Sequence, residues 1–311
     1  MNDSPISESF TPAYLSLYHS GELARRVRRA HEHLLRCDLC PNYCRVNRLQ
    51  TLRGARCRSG RRAAVVSYGP HHGEERVLVG RQGSGTLFFG RCNLRCVFCQ
   101  NWDISQDDRG REVSAAELAT MMLELQGLGC HNINLVSPSH VLAPLLAALA
   151  LAVHKGLRLP LVYNTGGYDS PEALALLDGV VDIYMPDMKF ADSKVAEPLL
   201  GVADYAEINR AAVLEMHRQV GDLVLNNQGI ARRGLLVRHL VLPENLAGSD
   251  RILPFIAEQL SPNTWLNLMD QYRPCYRADR YPPLDRPPSR AEYRRAVRWA
   301  ASAGLQRLDR Y

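Results

Sequence analysis

Three cysteines in a C-x3-C-x2-C run, Cys92, Cys96 and Cys99, follow directly on the apolar stretch Thr86-Leu87-Phe88-Phe89. This pairing of a strand-like segment with a tight cysteine loop constrains the chain more than any other feature. Three thiolates hold three corners of a cubane iron–sulfur cluster and leave its fourth iron free. An electron-transfer cluster that is fully ligated takes four, so three at this spacing imply an iron kept open for a ligand. An open metal position is a reaction site.

Downstream of residue 84, strand and helix signals alternate, which argues for a parallel sheet with crossover helices. Strands are expected over 85–89, 131–136, 159–164, 181–185, 235–242 and 265–269. Ser114 with Glu117 forms a capping box, Ser170 precedes Pro171 at a helix start, and Ser289 with Glu292 opens a last helix that Gly304 stops. The apolar run from Val141 to Val153 is too short to span a bilayer and contains Pro144, so it reads as a buried helix. The segment from Tyr281 to Pro288 reads as an extended surface connection. At 311 residues, 46% hydrophobic and 23% charged, the chain can bury a large core. The expected organisation is an N-terminal helix and cysteine-rich segment over 1–82, a core over 83–275, and a C-terminal extension with its helix over 276–311.

The cysteine run resembles the cluster motif of the radical S-adenosylmethionine (SAM) superfamily. Asn164-Thr165-Gly166-Gly167-Tyr168 and Asp182-Ile183-Tyr184-Met185-Pro186-Asp187-Met188-Lys189 make the chain similar to uncharacterised relatives of the pyruvate formate-lyase activating enzyme. The resemblance runs from about residue 35 to the C-terminus. It implies a partial (β/α)6 TIM-like barrel, a 4Fe-4S cluster on Cys92, Cys96 and Cys99, and SAM as the ligand of the open iron. It implies reductive cleavage of SAM to a radical that takes hydrogen from a substrate, with activation of a glycyl-radical enzyme as the leading role. Modification of a small molecule, a peptide or an RNA base is the alternative. A flavodoxin- or ferredoxin-like protein would supply the electron, and the substrate itself would be a protein in the activase case.

Ligands of parallel sheets gather at the carboxyl ends of strands. By the same resemblance Phe98 packs near the adenine, Asn164 and Thr165 fall near the methionine moiety, Asp187 and Lys189 match an Asp-x-Lys pair, and Arg238 matches an arginine near the carboxylate. Lys189 and Arg238 would pair with that carboxylate and Asp187 with the amino group or ribose, while Gly166 allows close backbone approach and Tyr272 completes the pocket. The family departs from this chain at two places. Ser137-Pro138-Ser139-His140 stands where many members carry Gly-Gly-Glu, and Asn164 stands where the activating enzymes carry an acid.

A second set, Cys37, Cys40, Cys44 and Cys57, has the spacing C-x2-C-x3-C-x12-C. It suits either a tetrahedral zinc or a fully ligated auxiliary 4Fe-4S cluster, and spacing does not decide. Cys130 reads as a buried hydrophobe, and Cys275 as a loop cysteine near the pocket. His140 is either a proton donor or a satisfied loop histidine, and His71-His72-Gly73-Glu74-Glu75 could line the substrate mouth. The arginines from Arg25 to Arg62 face only Glu32 and Asp38, although the whole chain is merely +6. A solvated face explains them better than a nucleic-acid surface, since no stacking aromatics accompany them. A non-catalytic iron–sulfur or zinc protein binding nucleic acid is thereby the weaker reading. The polar, acidic N-terminus lacks a secretory pattern, and nine cysteines at metal-ligand spacing point to reduced thiols, so a cytoplasmic protein with no membrane contact is expected.

Overall fold

A computed structural model describes residues 10–309; the polar N-terminal stretch lies, but for Phe10, outside them. Ten strands are found among the described residues: β1 Ala63–His71, β2 Ser84–Phe89, β3 Arg111–Val113, β4 Ile133–Val136, β5 Leu161–Thr165, β6 Ile183–Pro186, β7 Val224–Leu225, β8 Ala231–Leu240, β9 Trp265–Met269 and β10 Leu308–Asp309. Their order across the sheet is β10-β9-β8-β6-β5-β4-β2-β1-β3, with β7 paired to β8. The six central strands β2, β4, β5, β6, β8 and β9 are mutually parallel. They are the six strands expected from sequence, shifted by up to four residues at their ends.

The sheet curls. Between β1 and β9 lie five strands, which in a flat sheet would place them about 29 Å apart. Yet Glu75, just after β1, accepts a hydrogen bond from Asn267 of β9 at 3.0 Å. The loop after β1 therefore fills the gap that an incomplete barrel leaves between its edges.

Strands β1 and β3 were absent from the sequence expectation. β1 contains Gly69 and Pro70, but β3 covers only residues 63–65 of it, so Pro70 sits on an open edge where its missing N–H costs nothing. The three expected caps are present: Ser114 and Ser289 each form a full capping box, and Ser170 accepts from Ala173 N ahead of Pro171. Helix Leu142–His154 is the buried helix, with Pro144 in its first turn. The 281–288 segment is less superficial than expected: Leu284 is fully buried. One apolar cluster takes in residues from Tyr14 to Leu305, including Leu23, Ala30 and Leu34 of the N-terminal segment. That segment braces the barrel from outside through Tyr14 Oη to Leu159 O (2.8 Å) and Ala13 N to Asp182 Oδ1 (2.8 Å).

Two strand ends come close together around Gly167, whose φ is +73°. A β-carbon there would run into the Asn209 amide and the Asp187 carbonyl, which that amide holds at 2.9 Å. Gly167→Ala is therefore expected to destabilise the fold by roughly 1–3 kcal/mol, read as a lower urea midpoint with an unchanged slope.

Candidate active site

A cavity of about 420 Å³ opens at the carboxyl ends of the parallel strands. The loops after β2, β4, β5, β6 and β9 all reach it, through Cys92, Ser137, Gly166, Asp187 and Gln271. Its walls combine apolar Phe98, Leu94, Met188 and Leu242 with a concentrated group of charges.

The cysteine loop is held from behind by backbone bonds. Arg95 N and Val97 N donate to Leu200 O and Leu199 O, and Arg277 N donates to Val97 O, each at 2.9 Å. Cys92, Cys96 and Cys99 then all face the cavity. Leu94 N donates to Cys92 Sγ at 3.4 Å, and Ser105 Oγ lies 3.2 Å from Cys99 Sγ. Burial pushes the bare Cys92 thiol up to about 11, with Cys99 nearby adding to the rise. Cys96 rises further, from burial opposed by Lys189. Such thiols carry their protons until a metal displaces them. Three clustered thiols, an N–H aimed at one sulfur and a neighbouring ammonium fit an iron–sulfur cluster with one open iron.

Beside them Asp187, at the end of β6, joins two cations: Lys189 Nζ at 2.6 Å and Arg238 Nε at 2.8 Å. Arg238 also donates to Asn164 Oδ1 at 2.7 Å. Burial by itself would raise the Asp187 carboxyl, but Arg238 and Lys189 outweigh it and hold it below the usual range. Burial likewise works against the Lys189 ammonium, and Asp187 restores it. The residues expected from Asn164, Gly166, Asp187, Lys189 and Arg238 thus converge on one wall. Thr165 lines the same wall, its hydroxyl bonded to Asp169 at 2.6 Å.

One expectation needs correction. Tyr272 does not line the cavity: it is buried behind Phe98 in an edge-to-face contact, its hydroxyl bonded to Leu284 O at 2.6 Å. It positions the aromatic wall instead of touching a ligand. His140 is buried and bonded through Nε2 to Gly90 O at 3.0 Å, while its Nδ1 has no hydrogen-bond partner. Cys130 is buried in the core, and Cys275 is absent from the cavity wall.

Glu74 was the least legible member. Strand β1 runs antiparallel to β2, so the loop after it lies at the amino ends of the parallel strands. From there Glu74 reaches the cavity and stands 3.8 Å from Arg238 Nη1. Burial, opposed by Arg238 and assisted by Glu75, pushes its carboxyl up to about 7. The expectation that this loop lines the cavity holds for His71, Gly73 and Glu74, while the contact of Glu74 with Arg238 was not foreseen.

Cys37, Cys40 and Cys57 are buried and Cys44 is partly exposed. Among the described residues, no group of three or more Cys, His, Asp or Glu side chains is arranged to hold a metal ion as the side chains stand, neither these four nor Cys92, Cys96 and Cys99, which share a cavity without being drawn together around a metal. The cysteine-rich segment lies against the cluster loop: Asn42 Nδ2 donates to Asn93 O at 2.9 Å.

Residues 86–221 match the family model of the radical SAM superfamily. An uncharacterized protein of Methanocaldococcus jannaschii is 33% identical over 277 residues, an alignment spanning 86% of this chain and 75% of that protein. The chain belongs to the radical SAM superfamily. Membership implies a 4Fe-4S cluster and SAM, and the residues around the cavity fit both. No helix among the described residues is long and apolar enough to cross a membrane.

His239 lies beneath this wall, bonded to Met188 O at 2.7 Å and to Ser249 Oγ at 2.8 Å. Burial lowers its pKa to about 4, against about 6.5 in the unfolded chain. Between those values the unfolded chain binds more protons, so this contribution is complete above pH 6.5 and is lost as pH falls toward 4. His239→Gln should flatten the fall of the urea midpoint between pH 7 and pH 4, measured against the unsubstituted chain.

Proposed function

We propose that this enzyme cleaves SAM reductively at a cluster held by Cys92, Cys96 and Cys99, and takes hydrogen from a bound substrate. The observation that carries this reading is the meeting of those three thiols with Asp187, Lys189 and Arg238 in one cavity. When bound, the cluster supplies one electron that splits SAM into methionine and a 5′-deoxyadenosyl radical. The chain's own part is to orient and to exclude water. Lys189 and Arg238 receive the SAM carboxylate, Asp187 moves its charge toward the amino group or ribose, and Phe98, backed by Tyr272, packs against the adenine. The loop that carries Glu74 shuts the far end of the barrel and keeps bulk water from the radical.

For the substrate, resemblance to the activating enzymes supports a glycyl residue of a partner enzyme. The charged far end formed by Glu74 and Arg238 supports a small polar molecule instead. A one-electron flavodoxin- or ferredoxin-like donor belongs to either version. The N-terminal set, Cys37, Cys40, Cys44 and Cys57, is proposed as a second metal site. Arg48 supports it. This arginine is buried, and it donates to Ser59 O, Gly60 O and His140 O at 2.6–2.9 Å and to Cys37 Sγ at 3.6 Å. No carboxylate pairs with it among the described residues, and a buried cation needs a counter-charge. Metal-bound thiolates supply one.

Reduced, anaerobically reconstituted protein should convert SAM to equal methionine and 5′-deoxyadenosine, and a Cys92/Cys96/Cys99 triple alanine variant should lose that activity by at least ~1,000-fold. An intact cluster that never cleaves SAM, with or without extract added, rejects the proposal. Deuterium appearing in 5′-deoxyadenosine from a labelled protein fraction selects the activase version, and from a small-molecule fraction the other.

A further inference from the structure

Among the described residues, the acids on the cavity wall are Asp187 and Glu74. Asp187 is matched by Lys189 and Arg238, whereas the Glu74 side chain, only 9% exposed, accepts no hydrogen bond. Arg238 stands beside it, but the short bonds of that guanidinium go elsewhere: Nε to Asp187 at 2.8 Å and Nη2 to Asn164 at 2.7 Å, with Nη1 left 3.8 Å from Glu74. That distance is too long for a hydrogen bond. The adjacent Glu75 carboxyl is an acceptor like Glu74 itself, and burial together with Glu75 pushes Glu74 up to about 7. Glu75 is 2% exposed, and its Oε2 has no partner either. Two neighbouring carboxyls, nearly out of water, thus lack donors.

Their placement is fixed by the fold. Glu75 accepts from Asn267 Nδ2 of β9 at 3.0 Å, and its carbonyl accepts from Leu78 N and Val79 N at 2.8 and 3.2 Å at the start of the short helix Arg76–Val79. Glu74, one residue earlier, is left to the cavity. The wall near it is apolar. Leu240 and Met269 pair in register two residues beyond Arg238 and Asn267, on the same faces of β8 and β9, and both line the cavity. His71 sets its ring edge against Phe88 at 5.6 Å, and these two line it as well. In the SAM complex inferred above, the SAM carboxylate takes Lys189 and Arg238 and the amino group takes Asp187. Glu74 is then the cavity acid with no positive partner of its own.

We propose that Glu74 is the substrate-recognising residue of this site and that the substrate is a small molecule carrying a protonated nitrogen, an ammonium or guanidinium, on a short apolar skeleton. This rests on the SAM-cleaving reading and adds the class of molecule acted on. The nitrogen supplies the donors that Glu74 and Glu75 lack, and the skeleton lies against Phe88, Leu240 and Met269. An anionic molecule is rejected, because it brings a further negative charge to the pair.

The test uses the full chain, reconstituted anaerobically and loaded with SAM but left unreduced, so that binding is read apart from turnover. Butylamine, an ammonium on a short apolar chain, is the probe, and butyrate is its anionic counterpart. By calorimetry in mildly alkaline buffer butylamine should bind and butyrate should not. Glu74→Gln should weaken butylamine binding at least ~10-fold, a change of about 1.4 kcal/mol, and Glu74→Asp, which keeps the charge, should weaken it less. No measurable binding of butylamine, a preference for butyrate, or equal affinities in the unsubstituted and Glu74→Gln proteins overturns the assignment. For turnover, small molecules from deuterated cells are separated on a cation exchanger and offered to the reduced enzyme. Deuterium should enter 5′-deoxyadenosine from the retained fraction, and the amount transferred per SAM cleaved should fall at least ~10-fold in Glu74→Gln. Deuterium from the unretained small molecules or from the protein fraction alone overturns the assignment while leaving the radical reading intact. SAM that binds and is never cleaved with any fraction rejects the radical reading instead, and the calorimetry then decides the Glu74 site by itself.

Discussion

The half-buried carboxylate of Asp187 organises this site. It is placed between Lys189 and Arg238, and drawing three charges partly out of water is tolerable because each meets an opposite one at 2.6–2.8 Å. The same residue joins two strands: Met188 N bonds to Arg238 O at 2.8 Å, and Asn209 reaches both the Asp187 and Gly167 carbonyls. The charge network and the alignment of β5, β6 and β8 are therefore one structure.

The cysteine loop depends on that wall in a second way. Its backbone is held by residues 199, 200 and 277, which lie outside the strands and pack through Phe98, Phe190 and Tyr272. The three thiols are thereby presented to the cavity, and burial raises the pKa of Cys92 and Cys96. Rigid presentation would lower the ordering cost of assembling a cluster on Cys92, Cys96 and Cys99.

Much of this was legible residue by residue. Cys92, Cys96 and Cys99 were visible because sequence-local spacing sets their geometry. Six parallel strands were visible because a strand covered on both faces reads as a short apolar run, and Ser114, Ser170 and Ser289 were visible because capping is local chemistry. Strand β1 was not: its Gly69-Pro70 step looks like a turn and becomes a strand only where β2 supplies a partner on one side and solvent lies on the other. With β1 missed, Glu74 could be placed near the substrate but not at the opposite end of the barrel, beside Arg238. Tyr272 shows the converse. Its place after the sixth strand suggested the pocket, yet packing turned its ring behind Phe98 and gave its hydroxyl to Leu284.

The amino-acid sequence by itself determined the three-cysteine loop, the strand and helix alternation and the superfamily these define, because each is written in spacings of a few residues. Only the tertiary structure decided that the sheet curls until Glu75 meets Asn267, that Arg48 is buried among thiols and carbonyls without a carboxylate, and that Asn42 of the cysteine-rich segment reaches Asn93. Those contacts join residues tens to nearly two hundred positions apart. Their geometry is set by how layers pack, which no local pattern records.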